Sequence, residues 1–271
     1  MNSARLGRNV ADITATETFY REALGLQAVG KAVEDQELAG MLGIERVRVL
    51  RMRLGAQEIE LSECFPTGAA YPPHSQSNDL WFQHIAIVTA DMAAAYAQVM
   101  RHGAIPISRN GPQRLTASSG KVTAFKFRDP EGHPLELLEF PPGAGNSWQQ
   151  KSGGLTLGFD HSAISVGDVR QSIAFYTELG LSQTAATVNR GGEQDRLDGL
   201  DATEADVVAL AFAPRVPPHL ELLHYRQPPG RSASGIGLND IAADRLIFST
   251  ADDERLLRRD PDGHALVLPT G

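Results

Sequence analysis

The sequence predicts an α+β protein assembled in tandem from strand, helix and three-strand (βαβββ) units, the fourth of them truncated. Three observations carry this expectation. Phe19-Tyr20-Arg21-Glu22-Ala23-Leu24-Gly25-Leu26 returns past the middle as Phe175-Tyr176-Thr177-Glu178-Leu179-Gly180-Leu181. Asp129-Pro130-Glu131-Gly132-His133 returns near the end as Asp260-Pro261-Asp262-Gly263-His264. Two β-rich stretches, Phe82 to Val88 and Phe159 to Val166, each carry a histidine, His84 and His161, and each is followed by a Leu-Glu-Leu-Leu strand holding Glu136 or Glu221.

The elements follow in order. The first unit covers about 4 to 65; Asp12 is placed to cap its helix and Gly25 to end it in a left-handed conformation. The Pro- and Ser-containing stretch from Pro66 to Asp79 leads to the second unit, about 80 to 142. Its closing segment, Phe125 to Glu136, reads as a hairpin around a Pro/Gly turn. A Gly-rich stretch from Pro141 to Gly158 separates the halves, and the third unit, about 157 to 227, repeats the capped helix with Asp168 and Gly180. The fourth, about 240 to 271, runs from a strand at Arg245 to Thr250 straight to the final hairpin, with no room for a full helix and second strand. Units one and three resemble each other, as do two and four. This gives two domains of two units, 1–142 and 157–271.

Composition sets the outer bounds. The 271 residues, 42% hydrophobic, suffice for one large or two medium cores. A net charge of -8 and a pI near 5.5 provide no basic footprint for phosphate backbones, so nucleic acid is not an expected partner. No stretch is long enough to span a bilayer and the start carries no apolar leader, so no membrane is expected and the cytoplasm is the expected location. The single Cys64 excludes an intramolecular disulfide or a cysteine-rich metal site, and its expected role is structural. There is no Gly-rich phosphate loop, nucleotide fingerprint or Ser/His/Asp order.

Strand alternation puts His84 on one face with Phe82, Ala86 and Val88, and Glu136 on one face with Leu138 and Phe140. Ionisable groups therefore stand where a core would take apolar ones. An isolated carboxylate in such a place is costly unless it is protonated, paired or bound to a metal. Two His and two Glu, in the same order in two successive units, point to the metal. The remaining histidines are expected elsewhere: His133 and His264 bonding locally in their turns or meeting solvent, His219 beside Glu221 in a supporting place. The acidic run from Glu193 to Asp206 reads as a mobile loop over the site.

The repeated units, with the phrases Phe-Tyr-x-x-x-Leu-Gly-Leu, Asp-Pro-x-Gly-His and Leu-Glu-Leu, resemble the vicinal oxygen chelate superfamily of glyoxalase I, extradiol dioxygenases, fosfomycin-resistance enzymes and bleomycin-binding proteins. The resemblance covers nearly the whole chain. It implies curved mixed sheets forming cups, with a metal held from the first and last strand of each of two paired units. Carried over by position, unit one offers Arg5 and Glu60, unit two His84 and Glu136, unit three His161 and Glu221, and unit four Arg245 and Val267. Guanidinium has no lone pair to give, and valine no donor, so only the middle units have a full set. Pairing units two with three and one with four gives one complete site; pairing one with two and three with four divides the donors. The first arrangement is favoured here, with the arginines and Glu60 forming a structural salt-bridge cluster.

The metal set is therefore His84, Glu136, His161 and Glu221, holding one divalent ion (Ni, Zn, Co, Fe or Mn). By analogy with glyoxalase I, Glu136 or Glu221 is the catalytic base. The expected function is that of a lyase or isomerase acting on a small substrate that chelates through adjacent oxygens. The alternatives are an Fe(II)-dependent ring-cleaving dioxygenase and a metal-free small-molecule binder. A monomer or homodimer is expected.

Overall fold

A computed structural model describes residues 5–144, 148, 154–248 and 254–270. Unit one comprises β1 (Arg5–Val10), α1 (Ile13–Leu24), β2 (Gln27–Ala28), β3 (Val33–Glu34), α2 (Gln36–Leu42), β4 (Arg46–Leu54) and β5 (Gln57–Phe65). Unit two comprises β6 (Gln83–Thr89), α3 (Met92–Arg101), β7 (Ile105–Pro106), β8 (Gln113–Arg114), a 3-10 turn at Ala117–Ser119, β9 (Thr123–Arg128) and β10 (Pro134–Glu139). Unit three comprises β11 (Thr156–Ser165), α4 (Val169–Glu178), β12 (Ser182–Arg190), α5 (Gly192–Asp198), β13 (Glu204–Ala211) and β14 (His219–Gln227). Unit four keeps β15 (Arg245–Ile247), β16 (Arg255–Arg259) and β17 (Ala265–Pro269), with no helix among its described residues. The expected strand end at Thr250 lies outside the described residues.

The repeated phrases do the same work in both halves. Asp12 accepts from the backbone N–H groups of Thr14 and Ala15, and Asp168 from those of Arg170 and Gln171. Gly25 ends α1 with φ of 75°, a left-handed conformation that glycine adopts without Cβ strain. In the turns, His133 and His264 are buried rather than solvent-facing, and each reaches out of its own unit. His133 Nε2 donates to the carbonyl of Asn9 at 2.8 Å, and His264 Nε2 to that of Ser165 at 2.9 Å. The turn aspartates accept from the helix tyrosines, Tyr20 on Asp129 at 3.2 Å and Tyr176 on Asp260 at 3.0 Å.

Strand order shows which units pair. One sheet runs β16-β17-β15-β1-β5-β4-β2, joining units one and four; the other runs β12-β13-β14-β11-β6-β10-β9-β7, joining units two and three. In the second sheet β6 and β11 lie antiparallel at the centre, flanked by the parallel strands β10 and β14. The outer faces of β6, β9 and β10 (Ile85, Ile87, Phe125, Phe127, Leu135, Leu137) share a core with α1, α3, β4 and β5. The opposite faces are free to line a site.

In the sheet of units one and four that opposite face is filled. Helix α2 packs Leu38 and Leu42 against Val47, Val49 and Cys64, whose thiol is pushed up by burial. Arg5 and Arg51 meet Glu60 at 3.2 and 3.5 Å. Arg245, fully buried, donates to Asn9 Oδ1 at 2.5 Å and Ser62 Oγ at 2.8 Å. Val267 is core. This is a packed polar cluster rather than a cation site.

Candidate metal centre

Sheet register gathers the four sequence-derived residues. Across the antiparallel centre His84 lies opposite Ala163 and His161 opposite Ala86. Along the parallel neighbours Glu136 lies beside Ala86 and Glu221 beside Ala163. The arrangement is thus a near two-fold: each of two adjacent rows carries one histidine, one alanine and one glutamate. Alanine at the centre of each row leaves the space between the larger side chains open.

His84 Nε2 lies 3.0 Å from Glu136 Oε2, and His161 Nε2 lies 3.6 Å from a carboxylate oxygen of both Glu136 and Glu221. One donor atom from each of His84, Glu136 and His161 falls within 4.8 Å of the others. His161 Nε2 is buried and has no hydrogen-bond partner among the described residues. Two donors each about 2.1 Å from a common ion sit about 3.0 Å apart at right angles and about 3.4 Å apart at tetrahedral angles. The His84–Glu136 separation is that of a hydrogen bond and the two 3.6 Å separations are those of ion pairs. All three also fall in the range that a shared cation would need, and two imidazoles with two carboxylates are a mixed donor set of the kind first-row divalent metals take.

The surrounding charges are specific. Lys126 stands opposite Glu136 in the β9–β10 register and donates to Asp198 Oδ1 at 2.6 Å, both side chains buried. Burial alone would raise the Glu136 carboxyl, but the Lys126 ammonium and the two histidines hold it well below the usual range. Burial likewise opposes ionisation of Glu221; the charge of His161 and the hydrogen bond from His219 outweigh it and bring the group down to about 2. The two imidazoles diverge. Burial pushes His84 down despite its bond to Glu136. Burial acts the same way on His161, yet the Glu221 carboxylate and the hydrogen bond to Asp160 hold it well above ordinary histidine.

Asp160 was not legible as a site residue. An ideal strand would turn Asp160 and His161 to opposite faces. Instead β11 bulges between Phe159 and His161, which face Ile87 and Ala86 of β6, leaving Asp160 as the extra residue. Its Oδ2 comes 3.1 Å from His161 Nδ1, and its Oδ1 accepts from Trp148 at 3.0 Å. With Nδ1–H committed to Asp160, Nε2 is the His161 atom turned toward the two glutamates, and it is the atom that would be free to ligate a cation once its proton is displaced. Lys126 had a signal: the alternation Phe125-Lys126-Phe127 sends it to the face of Glu136. His219 lies 3.3 Å from Glu221 Oε1, the supporting place expected for it.

The acidic run differs from expectation. Its first part is α5, whose Gln194, Leu197 and Asp198 are buried one above another at helical spacing. The helix is pinned to unit two and the stretch before it: Ser108 Oγ donates to the Leu197 carbonyl at 2.8 Å, Ser77 Oγ of the connecting stretch to that of Asp198 at 2.9 Å, and Arg196 to Gln113 at 2.7 Å. The buried face of Gln194, Leu197 and Asp198, with these bonds to its carbonyls, outweighs the acidic composition, and this part of the run is a helical wall.

Comparisons with known proteins agree with this architecture. Residues 3–137 and 158–255 match the profile of the Glyoxalase/Bleomycin resistance protein/Dioxygenase superfamily. The crystal structure of glyoxalase I from Zea mays is similar in fold, with a TM-score of 0.59 and 16% identity, covering 98% of this chain and 92% of that one. Virulence protein STM3117 of Salmonella typhimurium is 26% identical over 131 residues, 48% of this chain and 78% of its own. No helix among the described residues is long and apolar enough to cross a membrane. With a family match across most of its length and paired βαβββ units in two large mixed sheets, this chain belongs to the Glyoxalase/Bleomycin resistance protein/Dioxygenase superfamily.

Proposed function

We propose that this protein is a divalent-metal-dependent lyase or isomerase. Its substrate is small and binds through two adjacent oxygens, and a proton is moved between neighbouring carbons. The observation that supports this most is the buried His161 Nε2 set 3.6 Å from a carboxylate oxygen of each of Glu136 and Glu221, with His84 completing the set. His84, Glu136, His161 and Glu221 would hold one ion, and Ni, Zn, Co, Fe and Mn all suit the donors. When bound, such an ion supplies Lewis acidity toward an oxyanion that develops on the substrate.

The glutamates divide the remaining work. Glu136 is 6% exposed at its side chain, bonded to His84 at 3.0 Å and across the strand pair from Lys126. Glu221 is 20% exposed, held at one oxygen by His219, and nearer the open side. Glu221 is thus the better placed to swing toward a substrate carbon, take a proton and return it to the neighbour, while Glu136 keeps its position. The test is metal content of purified protein, followed by turnover of a 2-oxoaldehyde hemithioacetal and related adjacent-oxygen compounds with Ni, Co or Zn restored. Glu221→Gln lowers turnover by about 10²- to 10⁴-fold. Protein that binds none of these ions contradicts the proposal.

A second reading rests on the tighter grouping of His84, Glu136 and His161, a two-histidine, one-carboxylate set. Such a set with Fe(II) supports oxygen chemistry on a ring diol. Oxygen uptake with a catechol on the Fe(II)-loaded protein would favour it. Ligand binding that survives His84→Ala without any metal would favour a metal-free binder.

A further inference from the structure

The walls of the site, as distinct from its floor, carry information about the substrate. A cavity of about 290 Å³ opens over the four polar residues. Two apolar clusters flank it, one from each unit. Val122 and Leu138 of unit two pack with Leu197 of α5, and Leu115 and Phe140 lie against them. Leu223 and Tyr225 of β14 pack with Ala205, and Val207 lies against these. The mouth has neutral polar groups, among them Ser119 Oγ donating to Asn189 Oδ1 at 3.0 Å.

Charge at the site is already balanced. Glu136 and Glu221 together neutralise a divalent ion. Lys126 is the one lysine or arginine among the described residues lining the cavity, and its ammonium is committed to buried Asp198 at 2.6 Å. Asp160, at the edge, adds negative charge beside His161. An anionic body entering between the apolar clusters would lose its hydration and find no free cation, a cost that burial of an unpaired charge always carries. An apolar body there gains from every surface it covers. Size sets the other limit: an engineered cavity of roughly 150 Å³ takes up benzene, so this one admits about one substituted ring together with its chelating end.

We propose that the substrate is compact, with two adjacent oxygens at one end and an uncharged apolar body about one ring in size at the other, and that bulky charged conjugates such as those of glutathione, with their two carboxylates, are disfavoured. This rests on the divalent-cation reading above. The test holds the chelating end constant and varies only the body. Nickel is first titrated into the metal-free protein by calorimetry; acetohydroxamate, benzohydroxamate and S-(N-hydroxycarbamoyl)glutathione are then titrated into the nickel-loaded protein. All three present the same pair of adjacent oxygens. The expected result is benzohydroxamate at least about tenfold tighter than acetohydroxamate, from the apolar area its ring buries, with the glutathione conjugate no tighter than acetohydroxamate. Nickel binding accompanied by a glutathione conjugate as tight as or tighter than benzohydroxamate overturns this inference and leaves the metal reading standing. Failure of nickel to bind overturns the metal reading and the inference with it.

Discussion

Asp198→Asn tests how the wall of the site is held. The Asp198 carboxylate is fully buried, 2.6 Å from Lys126 Nζ and 2.8 Å from Gln194 Nε2. Burial works against the charged Lys126, and the Asp198 charge outweighs it, raising the ammonium well above its ordinary range. Neutralising Asp198 leaves that ammonium without its main partner. Removing one member of a buried ion pair costs about 3–5 kcal/mol. Glu136, across the strand from Lys126, offers a partial substitute and places the expected loss near the lower end. About 3 kcal/mol is a large share of a total of roughly 5–15 kcal/mol. The assay is equilibrium denaturant unfolding of wild type, Asp198→Asn, Lys126→Met and the double variant Lys126→Met/Asp198→Leu. The double variant, with no charge left unpaired, is expected to be less destabilised than Asp198→Asn. Because a freed Lys126 also draws on Glu136, metal affinity falls in Asp198→Asn. A loss below about 1 kcal/mol, a typical surface-pair value, would mean that the Lys126–Asp198 pair does not hold the wall.

Other consequences can be checked separately. His161→Ala removes the central donor and lowers divalent-metal affinity by more than about a hundredfold, read by calorimetry, whereas Asp160→Ala removes only the support of Nδ1 and lowers it by about 10- to 100-fold. Asp160→Asn, which can still accept from Nδ1–H, falls between wild type and Asp160→Ala. His133 donates from both ring nitrogens, to Asp129 at 2.9 Å and to the Asn9 carbonyl at 2.8 Å, the pattern of an imidazolium. Burial lowers its pKa, but Asp129 outweighs this and raises it above 6.5. The folded state therefore binds the extra proton, and the stability gained below about pH 6.5 is lost as pH rises through the folded value. His133→Gln flattens the alkaline side of the stability profile; parallel profiles would contradict the assignment.

Much of this was legible in the sequence because it is local. Asp12, Asp168 and Gly25 cap helices by interactions within a few residues, and the alternation around His84 and Glu136 shows polar groups on a face that packing would make apolar. Pairing was not local. Neither the pattern of β6 nor that of β11 specifies which strand it joins; only the distribution of donors among the four units favoured two with three, and the strand order joins those units. Asp160 was concealed because a bulge breaks the alternation on which face assignments depend. Helix α5 was concealed by composition: Glu193, Asp195 and Asp198 suggest a solvated loop, while Leu197 and the buried Lys126–Asp198 pair, invisible in one dimension, fix it in place.

On the reading proposed above, one divalent cation would be shared by β6, β10, β11 and β14. An anomalous difference map from crystals grown with nickel tests it most directly. The expected result is a single strong peak in contact with His84, Glu136, His161 and Glu221. A peak held by other side chains, or none at these four with nickel in excess, would contradict it.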